Sequence, residues 1–412
     1  MRKLFRSGLF FYDVYHFILY PFANNIFPER WPSLFSLLIK LRCFFIYYLC
    51  PTFSMAKFHF LKVSDVRRET ADAVSIAFDV PAPLQPEYLF KHGQYITLKL
   101  NINGEELRRS YSVCTSPYYE NELRVAVKAV KDGRASSFLN NSIKKGDAIE
   151  VMTPMGSFTS ALSGNAKKHY LLFAGGSGIT PIMSILKSVI HIEKQSTVTL
   201  IYANKEESSV IFKSEIDALV QKNAERLKVI YTYDQPVQQL SDLLTGQLTV
   251  EKTKSLVKQF DNADAVSEVF ICGPGPMMET IKNALHELHV SDEKIHIEYF
   301  SAVLDTLSKV ESNESGSDVN SKVTVIQYGR ETTMNLSTNG VSILDAALDA
   351  GVDVPFSCKG AVCCTCRAKV LEGKVKMDAN FALTDGEVAQ GYILTCQAHP
   401  LTEKVVIDYD AI

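Results

Sequence analysis

The stretch CKGAVCCTC, residues 358–366, holds four of the nine cysteines in this 412-residue chain. Three of them, Cys358, Cys363 and Cys366, stand in the spacing C-x4-C-x2-C, and Cys396 follows alone in ILTCQAHP. This is the ligand spacing of [2Fe–2S] clusters that are held by four thiolates. Zinc sites usually show paired C-x2-C or Cys/His knuckles, and scattered cysteines without an evident secretory signal do not favour a disulfide framework. We therefore predict that these four cysteines are metal ligands of a [2Fe–2S] cluster.

The sequence on both sides of this stretch fits a small α+β domain. VTVIQYGRETTMNL predicts two short strands around a turn at Gly329, and ILDAALDAGV has the 3.6-residue period of a helix. Cys364 breaks the ligand spacing, so we expect it to face away from the irons. Residues 321–412 resemble a plant-type ferredoxin domain over their whole length, although Ala361 stands where that family often has glycine. The resemblance implies a β-grasp fold around a cluster that accepts one electron at a time.

Composition narrows the function classes. The chain is 46% hydrophobic and 22% charged, its net charge is −3, and it has room for two to four domains. We expect no nucleic-acid partner, because no strongly basic stretch is present. Residues 321–412 carry 8 Lys and Arg against 11 Asp and Glu. Such a surface could meet a basic patch on a redox partner or simply be solvated, and both interpretations stay open.

The first 54 residues differ from the rest, because they are basic and aromatic. Asp13 and His16 interrupt the first apolar run, and Lys40 and Arg42 interrupt the second, so neither a signal peptide nor a spanning helix of ~20 residues is predicted. The segment is either a membrane-associated extension or an artefact of gene calling before Met55, and we favour the artefact. We expect a cytoplasmic protein, with membrane association only if residues 1–54 are real.

Residues 55–162 alternate β-rich runs with turn signals, which predicts an antiparallel barrel. Within it, RRSYSVCTSP places Arg109 and Tyr111 on one face of a strand and Ser112 on the other. Arginine can bind a phosphate, and tyrosine can stack on a planar ring. In VKDGRASSFLN, Gly133 precedes Ser136 and an apolar run, which predicts a loop into a short helix.

Two glycine-rich turns follow apolar strands in residues 163–305, which predicts a parallel α/β domain. In HYLLFAGGSGITPIMSIL, we expect Thr180 to be the helix N-cap and Pro181 the first helical residue, while Gly176 and Gly178 let the backbone approach a pyrophosphate. EVFICGPGPMMETI repeats the arrangement with the turn CGPGPM. Open α/β sheets bind ligands at such strand ends.

RxYS, GxxS, GGSGITP and CGPGPM in this order resemble the ferredoxin–NADP reductase superfamily across residues 55–300. The resemblance implies a multidomain protein that binds FAD, or less favourably FMN, and a nicotinamide dinucleotide. The boundaries implied are a flavin-binding β-barrel at 55–162, a Rossmann-like NAD(P)-binding domain at 163–305, a Ser- and Asn-rich linker at 306–320 and the ferredoxin domain at 321–412.

Site residues follow from the same resemblance. It implies flavin contacts for Arg109 (phosphate), Tyr111 (stacking), Ser112 (facing N5), Val127, Gly133 and Ser136 (pyrophosphate). It implies nicotinamide-nucleotide contacts for Gly176, Gly178, Thr180, Pro181, Gly273 and Pro274. Catalytic positions would be Ser112, Cys272 beside the nicotinamide, and Glu298, which with Phe300 matches the acidic and aromatic positions near the flavin. Among the histidines, only His399, close to Cys396, merits attention.

The end of the strand VTLIYANK bears on coenzyme choice. Asn204 and Lys205 are followed by Glu206, Glu207 and Ser208. An acidic residue here favours NADH, whereas a basic residue favours the 2′-phosphate of NADPH. We expect NADPH, with Lys205 at the phosphate, although the two glutamates argue for NADH.

The whole domain order resembles the reductase subunits of multicomponent oxygenases, in particular the family that serves phenylacetyl-CoA epoxidases. It implies electron flow from NAD(P)H through FAD to [2Fe–2S], because flavin accepts the two electrons of one hydride and releases them one at a time. The expected partner is a di-iron oxygenase. A membrane-associated donor to a lipid desaturase, a reductase for a Rieske-type oxygenase, and a redox sensor without turnover are the alternatives; the intact motifs disfavour the last.

Overall fold

The computed structural model describes residues 57–300 and 318–411. The extension at 1–54 and most of the predicted linker at 306–320 lie outside the described residues. Within the described ranges, no helix has both the length and the apolar character needed to cross a membrane. Three main sheets follow one another along the chain.

The first sheet is antiparallel and carries the strands that were expected to form a barrel. Its members are β1 (Phe58–Thr70), β2 (Ala73–Asp79), β3 (Tyr95–Ile102), β4 (Glu105–Ser112), β5 (Leu123–Lys128) and β6 (Ala148–Met152). They pair in the order β4-β3-β6-β1-β2-β5, and a bridge between Val113 and Val125 joins the two outer strands. Helix α1 (Arg134–Asn141) packs against β3 and β5. The predicted antiparallel barrel is confirmed, and its β-branched and aromatic residues fill a buried interior.

The second sheet is parallel, with helices on both faces. Its strands are β7 (His169–Gly175), β8 (Thr197–Asn204), β9 (Leu227–Tyr233), β10 (Glu268–Cys272) and β11 (Ile295–Glu298), in the order β11-β10-β7-β8-β9. Its helices are α2 (Ile179–Ile192), α3 (Lys213–Lys222), α4 (Val250–Phe260) and α5 (Gly275–Glu287). Side chains of α2 and α3 join one hydrophobic core, and those of α4 and α5 join another. This is the doubly wound α/β arrangement that was predicted.

The predictions that Thr180 caps α2 and that Pro181 is its first helical residue are both wrong, because the helix begins at Ile179. Residues Gly176–Gly178 form a 3₁₀ turn that runs directly into the helix, and Gly178 already has helical dihedral angles. Thr180 therefore lies inside the first helical turn, where its hydroxyl donates to the carbonyl of Ser177 over 3.1 Å. The glycine turn leads directly into the helix, so the helix begins before Thr180.

The third sheet is mixed and has the β-grasp arrangement. Its strands are β12 (Asn320–Gln327), β13 (Arg330–Ser337), β14 (Arg367–Glu372), β16 (Tyr392–Leu394) and β18 (Lys404–Asp408), and β15 (Val375–Met377) pairs separately with β17 (Ala398–Pro400). The order is β13-β12-β18-β14-β16, in which only β12 and β18 run parallel. Two helices accompany it, α6 (Ile343–Asp349) and α7 (Asp385–Ala389). The predicted hairpin at Gly329 and the helix before the cysteines are confirmed, and β12 already includes Asn320 of the predicted linker.

Candidate functional site

The four predicted cluster ligands lie together as two pairs of thiols. Cys363 Sγ donates to Cys358 Sγ over 3.1 Å, and Cys366 and Cys396 are buried together in the hydrophobic cluster of the third sheet. Among residues 57–300 and 318–411, no three Cys, His, Asp or Glu side chains converge as they would around a single metal ion. Four cysteines are the ligand set of a two-iron cluster, in which each iron takes two of them.

Backbone N–H groups of the loop point at the sulfur atoms. Gly360 N lies 3.3 Å from Cys358 Sγ, and the N–H of Ala361 donates to Cys396. Donation from the Cys363 thiol, with further hydrogen bonds from loop N–H groups, lowers the pKa of Cys358 to about 6. The loop thus stabilises the thiolate, which is the form that binds iron.

The loop reaches this geometry through left-handed backbone. Lys359 has φ 53° and Ala361 has φ 60°, and Ala361 is fully buried. This conformation costs a residue with a Cβ atom roughly 1–2 kcal/mol, which explains why related loops often have glycine at the Ala361 position. Cys364 Sγ donates to the carbonyl of Ala382 over 3.4 Å, so this thiol is engaged away from the two pairs.

The cysteine loop packs against the barrel. One small hydrophobic cluster unites side chains of the barrel region with two cysteines: Phe58, Tyr95, Met152, Met155, Cys358 and Cys363. Tyr95 Oη also lies 3.1 Å from Thr365 Oγ1 in the loop. The Cys358–Cys363 pair is therefore the half of the thiol site that contacts the barrel.

Polar contacts flank this apolar patch. Ser110 Oγ lies 2.8 Å from Ser357 Oγ, and the Arg108 guanidinium lies 4.1 Å from the centroid of the Phe356 ring. Sequence reasoning missed these residues, because the partners Ser110 and Ser357 are 247 positions apart and no periodic pattern connects them.

Strand β4 carries the RxYS residues beside this contact. Arg109 is exposed and donates to the carbonyl of Arg108 over 2.7 Å. Tyr111 is half-buried, and Ser112 is buried and pairs with Tyr95 of β3. The predicted flavin-facing strand is therefore the neighbour of β3 and itself contacts Ser357, next to the cysteine loop, through Ser110.

The other predicted flavin residues surround α1. Gly133 immediately precedes the helix, and Ser136 Oγ accepts from Val130 N while donating to the carbonyl of Gly133. The Val127 side chain lies in the barrel core, and its carbonyl accepts from Asn140 over 3.1 Å. Ser136 thus shapes the loop before the helix, and Val127 offers a ligand little free surface.

The two glycine-containing turns of the parallel sheet touch each other. A Cβ atom on Gly178 would lie 2.1 Å from the carbonyl oxygen of Cys272, and one on Gly273 would lie 3.0 Å from the Cα of Gly175. Cys272 is fully buried, and burial raises its thiol pKa. The predicted nucleotide residues therefore meet at one edge of the sheet: Gly176, Gly178, Thr180, Pro181, Cys272, Gly273 and Pro274.

Both glutamates after β8 accept hydrogen bonds from neighbouring protein groups. The Glu206 carboxylate accepts from Ser208 Oγ and from the N–H of Ser209. Glu207 accepts from Val237 N at 3.0 Å. Lys205 is exposed and forms no salt bridge with any residue that the structure describes. The basic side chain is therefore the one left free at this strand end.

Glu298 lines a cavity of about 220 Å³ between the barrel, β11 and the cysteine loop, together with Tyr95 and Cys363. Its side chain is half-buried, and burial raises the pKa of the carboxyl to about 8. Phe300 packs against the core beside α2. His399 Nε2 lies 3.1 Å from Asp378 Oδ2, an ion pair when the ring is protonated.

A cysteine site for a two-iron cluster, packed on a barrel that adjoins a dinucleotide fold, defines an NAD(P)H-dependent flavin and iron–sulfur reductase. Three family profiles match the chain: an oxidoreductase FAD-binding domain at 61–160, an oxidoreductase NAD-binding domain at 172–283 and a 2Fe-2S iron-sulfur cluster binding domain at 325–401. The chain belongs to the family of ferredoxin-reductase-type oxidoreductases that join these three domains.

Relatives share the whole arrangement. The chain is 43% identical over 357 residues to a 1,2-phenylacetyl-CoA epoxidase subunit from Escherichia coli (strain K12), and the match covers 87% of this chain and 99% of that protein. It is 33% identical to the ferredoxin reductase component of 3-ketosteroid-9-alpha-monooxygenase from Rhodococcus rhodochrous, over 85% of this chain and 96% of that protein. Phthalate dioxygenase reductase has the same fold, with a TM-score of 0.52 and 24% identity over 85% of this chain and 98% of that structure.

Gly178→Ala should disrupt the contact between the two turns, because the new methyl group would overlap the Cys272 carbonyl. We expect a loss of about 2 kcal/mol or more in the free energy of unfolding, measured by urea denaturation. Gly176→Ala is the matched control: its φ is 51° but its methyl group would meet open space, so it should cost only roughly 1 kcal/mol. Equal stability of the two variants would contradict the predicted contact.

Glu298→Gln should change how stability depends on pH. Because the folded pKa of about 8 lies above the ordinary value of 4.5, the carboxyl stabilises the fold below pH 4.5 and loses that contribution as the pH rises through 8. Between pH 5 and pH 8.5, the melting temperature measured by thermal unfolding should fall further for the wild type than for the variant. Glu293→Gln, at an exposed position, is the control and should match the wild type; parallel profiles for all three proteins would refute the assignment.

Proposed function

We propose that this protein is the reductase subunit of a multicomponent oxygenase and delivers electrons to a di-iron oxygenase of the phenylacetyl-CoA epoxidase type. The geometric observation that supports electron delivery is the packing of the Cys358–Cys363 pair on the barrel. The choice of acceptor is supported by the 43% identity to the epoxidase subunit over 99% of its length.

The residue roles are part of this proposal. Cys358, Cys363, Cys366 and Cys396 hold the cluster. Arg109, Tyr111, Ser112, Gly133 and Ser136 hold FAD, with Val127 in the supporting strand. The strand-end residues Gly176, Gly178, Thr180, Pro181, Gly273 and Pro274 hold the nicotinamide dinucleotide. In this proposal Cys272, Ser112 and Glu298 stand beside the nicotinamide and flavin rings.

Bound flavin supplies the conversion of a hydride into two single electrons. The residues of the chain position the flavin and the dinucleotide and exclude water from them. Glycine at positions 178 and 273 lets the 3₁₀ turn before α2 and the turn before α5 approach each other, and the open space beside Gly176 is where a dinucleotide backbone would lie. Ser112 and Tyr95, paired across β4 and β3, place the flavin strand against the cysteine loop.

We further propose the domain boundaries given by the sequence: 55–162, 163–305, the linker 306–320, and 321–412. A cytoplasmic location is the finer proposal. It is supported by the seven cysteines in the described ranges, all of which are free thiols, since a reducing compartment maintains such thiols for metal binding.

A Rieske-type or other oxygenase acceptor is the second candidate. It is favoured by the 33% identity to the 3-ketosteroid-9-alpha-monooxygenase reductase component. A membrane-associated desaturase donor would depend on residues 1–54, which lie outside the described residues.

Anaerobic titration of the full-length holoprotein with NADPH tests the electron route. Substoichiometric NADPH should bleach the flavin and produce the rhombic EPR signal of a reduced [2Fe–2S] cluster. The reduced protein should then pass electrons to a purified phenylacetyl-CoA epoxidase oxygenase faster than to a Rieske oxygenase.

Two cysteine variants test which thiols bind the cluster in this titration. Cys396→Ser should abolish the EPR signal and leave flavin bleaching intact, whereas Cys364→Ser should retain both, because its thiol is bonded to Ala382. A cluster that survives Cys396→Ser, or is lost in Cys364→Ser, would overturn the ligand assignment.

Lys205→Ala should raise KM for NADPH about tenfold, since a charge-assisted hydrogen bond to phosphate is lost. KM for NADH should barely change, because NADH has no 2′-phosphate. Lys205→Arg keeps the charge and serves as the control. If Lys205→Ala weakens both coenzymes equally, Lys205 does not contact the 2′-phosphate.

A further inference from the structure

Tyr95 extends from the barrel into the cysteine loop. Its side chain is buried, and its hydroxyl lies 3.1 Å from Thr365 Oγ1. Gly156 makes room for the ring, because a Cβ atom at that position would lie 3.0 Å from Tyr95 Cδ1. Two backbone hydrogen bonds between Tyr95 and Met155 fix the strand beneath it. The hydroxyl is therefore held in one place by the barrel.

Thr365 connects this hydroxyl to a proposed cluster ligand. It stands between Cys363 and Cys366, two residues after Cys363, and Tyr95 itself packs against the Cys363 side chain. A threonine hydroxyl has one proton, so when it donates to sulfur its oxygen is free to accept from Tyr95.

We propose that Tyr95 is a positioning residue for electron transfer: by donating to Thr365 it orients the Thr365 hydroxyl toward the Cys363 sulfur and thereby raises the reduction potential of the cluster. This inference rests on the proposed function, in which Cys363 is a cluster ligand. The barrel then does more than hold flavin, since one of its side chains adjusts the electron acceptor in the neighbouring domain.

The direction of the effect follows from charge. Reduction adds an electron to a cluster that thiolates already make negative, and hydrogen bonds to its sulfurs stabilise the reduced state more than the oxidised state. Loss of the Tyr95 hydroxyl leaves Thr365 free to rotate away from sulfur. The cluster should then be harder to reduce.

A second hydrogen bond at the same interface provides a matched control. Ser110 Oγ and Ser357 Oγ are 2.8 Å apart, and Ser110 also contacts Thr97. This pair joins the barrel to the loop as the Tyr95–Thr365 pair does, but its contacts in the described structure are hydroxyl groups and include no cysteine sulfur. Ser110→Ala therefore removes a contact between barrel and loop without changing the hydrogen bonds of a cysteine that binds the cluster.

The test is an EPR-monitored redox titration of the full-length holoprotein. Tyr95→Phe should shift the midpoint potential of the cluster to more negative values, equivalent to a roughly threefold lower ratio of reduced to oxidised cluster at a fixed potential. Ser110→Ala should keep the wild-type midpoint. Stopped-flow bleaching of the flavin by NADPH should be the same in all three proteins, which shows that the barrel is intact.

Thr365 variants provide an independent measurement. Thr365→Ala should show the same negative shift, Thr365→Ser should keep the wild-type midpoint, and adding Tyr95→Phe to Thr365→Ala should produce no further shift. Equal midpoints for the wild type and Tyr95→Phe, or an equal shift in Ser110→Ala, would overturn the inference while leaving the reductase assignment intact. A wild-type protein without a cluster signal would instead overturn the proposed function itself.

Discussion

The structure depends on one contact, the packing of the Cys358–Cys363 pair against the barrel. A reductase of this class needs its single-electron site close to its flavin strand, yet the two are distant in the chain. Apolar side chains of Phe58, Met152 and Met155 bring them together by excluding water. The flanking serine pair and the Arg108–Phe356 contact then fix the orientation, since hydrogen bonds and ring contacts are directional where apolar burial is not.

A similar constraint governs the nucleotide region, where two strand ends meet without a side chain between them. Gly178 faces the Cys272 carbonyl so closely that no other residue fits without a backbone shift. The glycine at position 178 is therefore required by contact between two turns.

The sequence predicted well the features that depend on residues close together in the chain. Cysteine spacing, strand alternation and glycine turns identified the three sheets, because each depends on neighbours within about ten positions; the site residues that they indicate stay predictions. The prediction of Thr180 as N-cap was wrong because the preceding glycines form a 3₁₀ turn, and composition does not reveal that backbone conformation. The roles of Tyr95, Thr365 and Ser110 were invisible, since their partners lie in another domain. The Glu207 carboxylate likewise accepts from the N–H of Val237, 30 residues away, a contact that no local pattern predicts.

The fourth thiol has a consequence for how the protein is made. Cys396 comes from a turn between β16 and β17, whereas the other three cysteines belong to the loop before β14. Iron bound by all four would cross-link two segments 30 residues apart, as a disulfide does, and would restrict the unfolded chain by a comparable loop closure. Cofactor insertion and completion of the C-terminal fold then become a single event. Iron supply would set the amount of competent reductase, while the flavin and nucleotide domains could form without it.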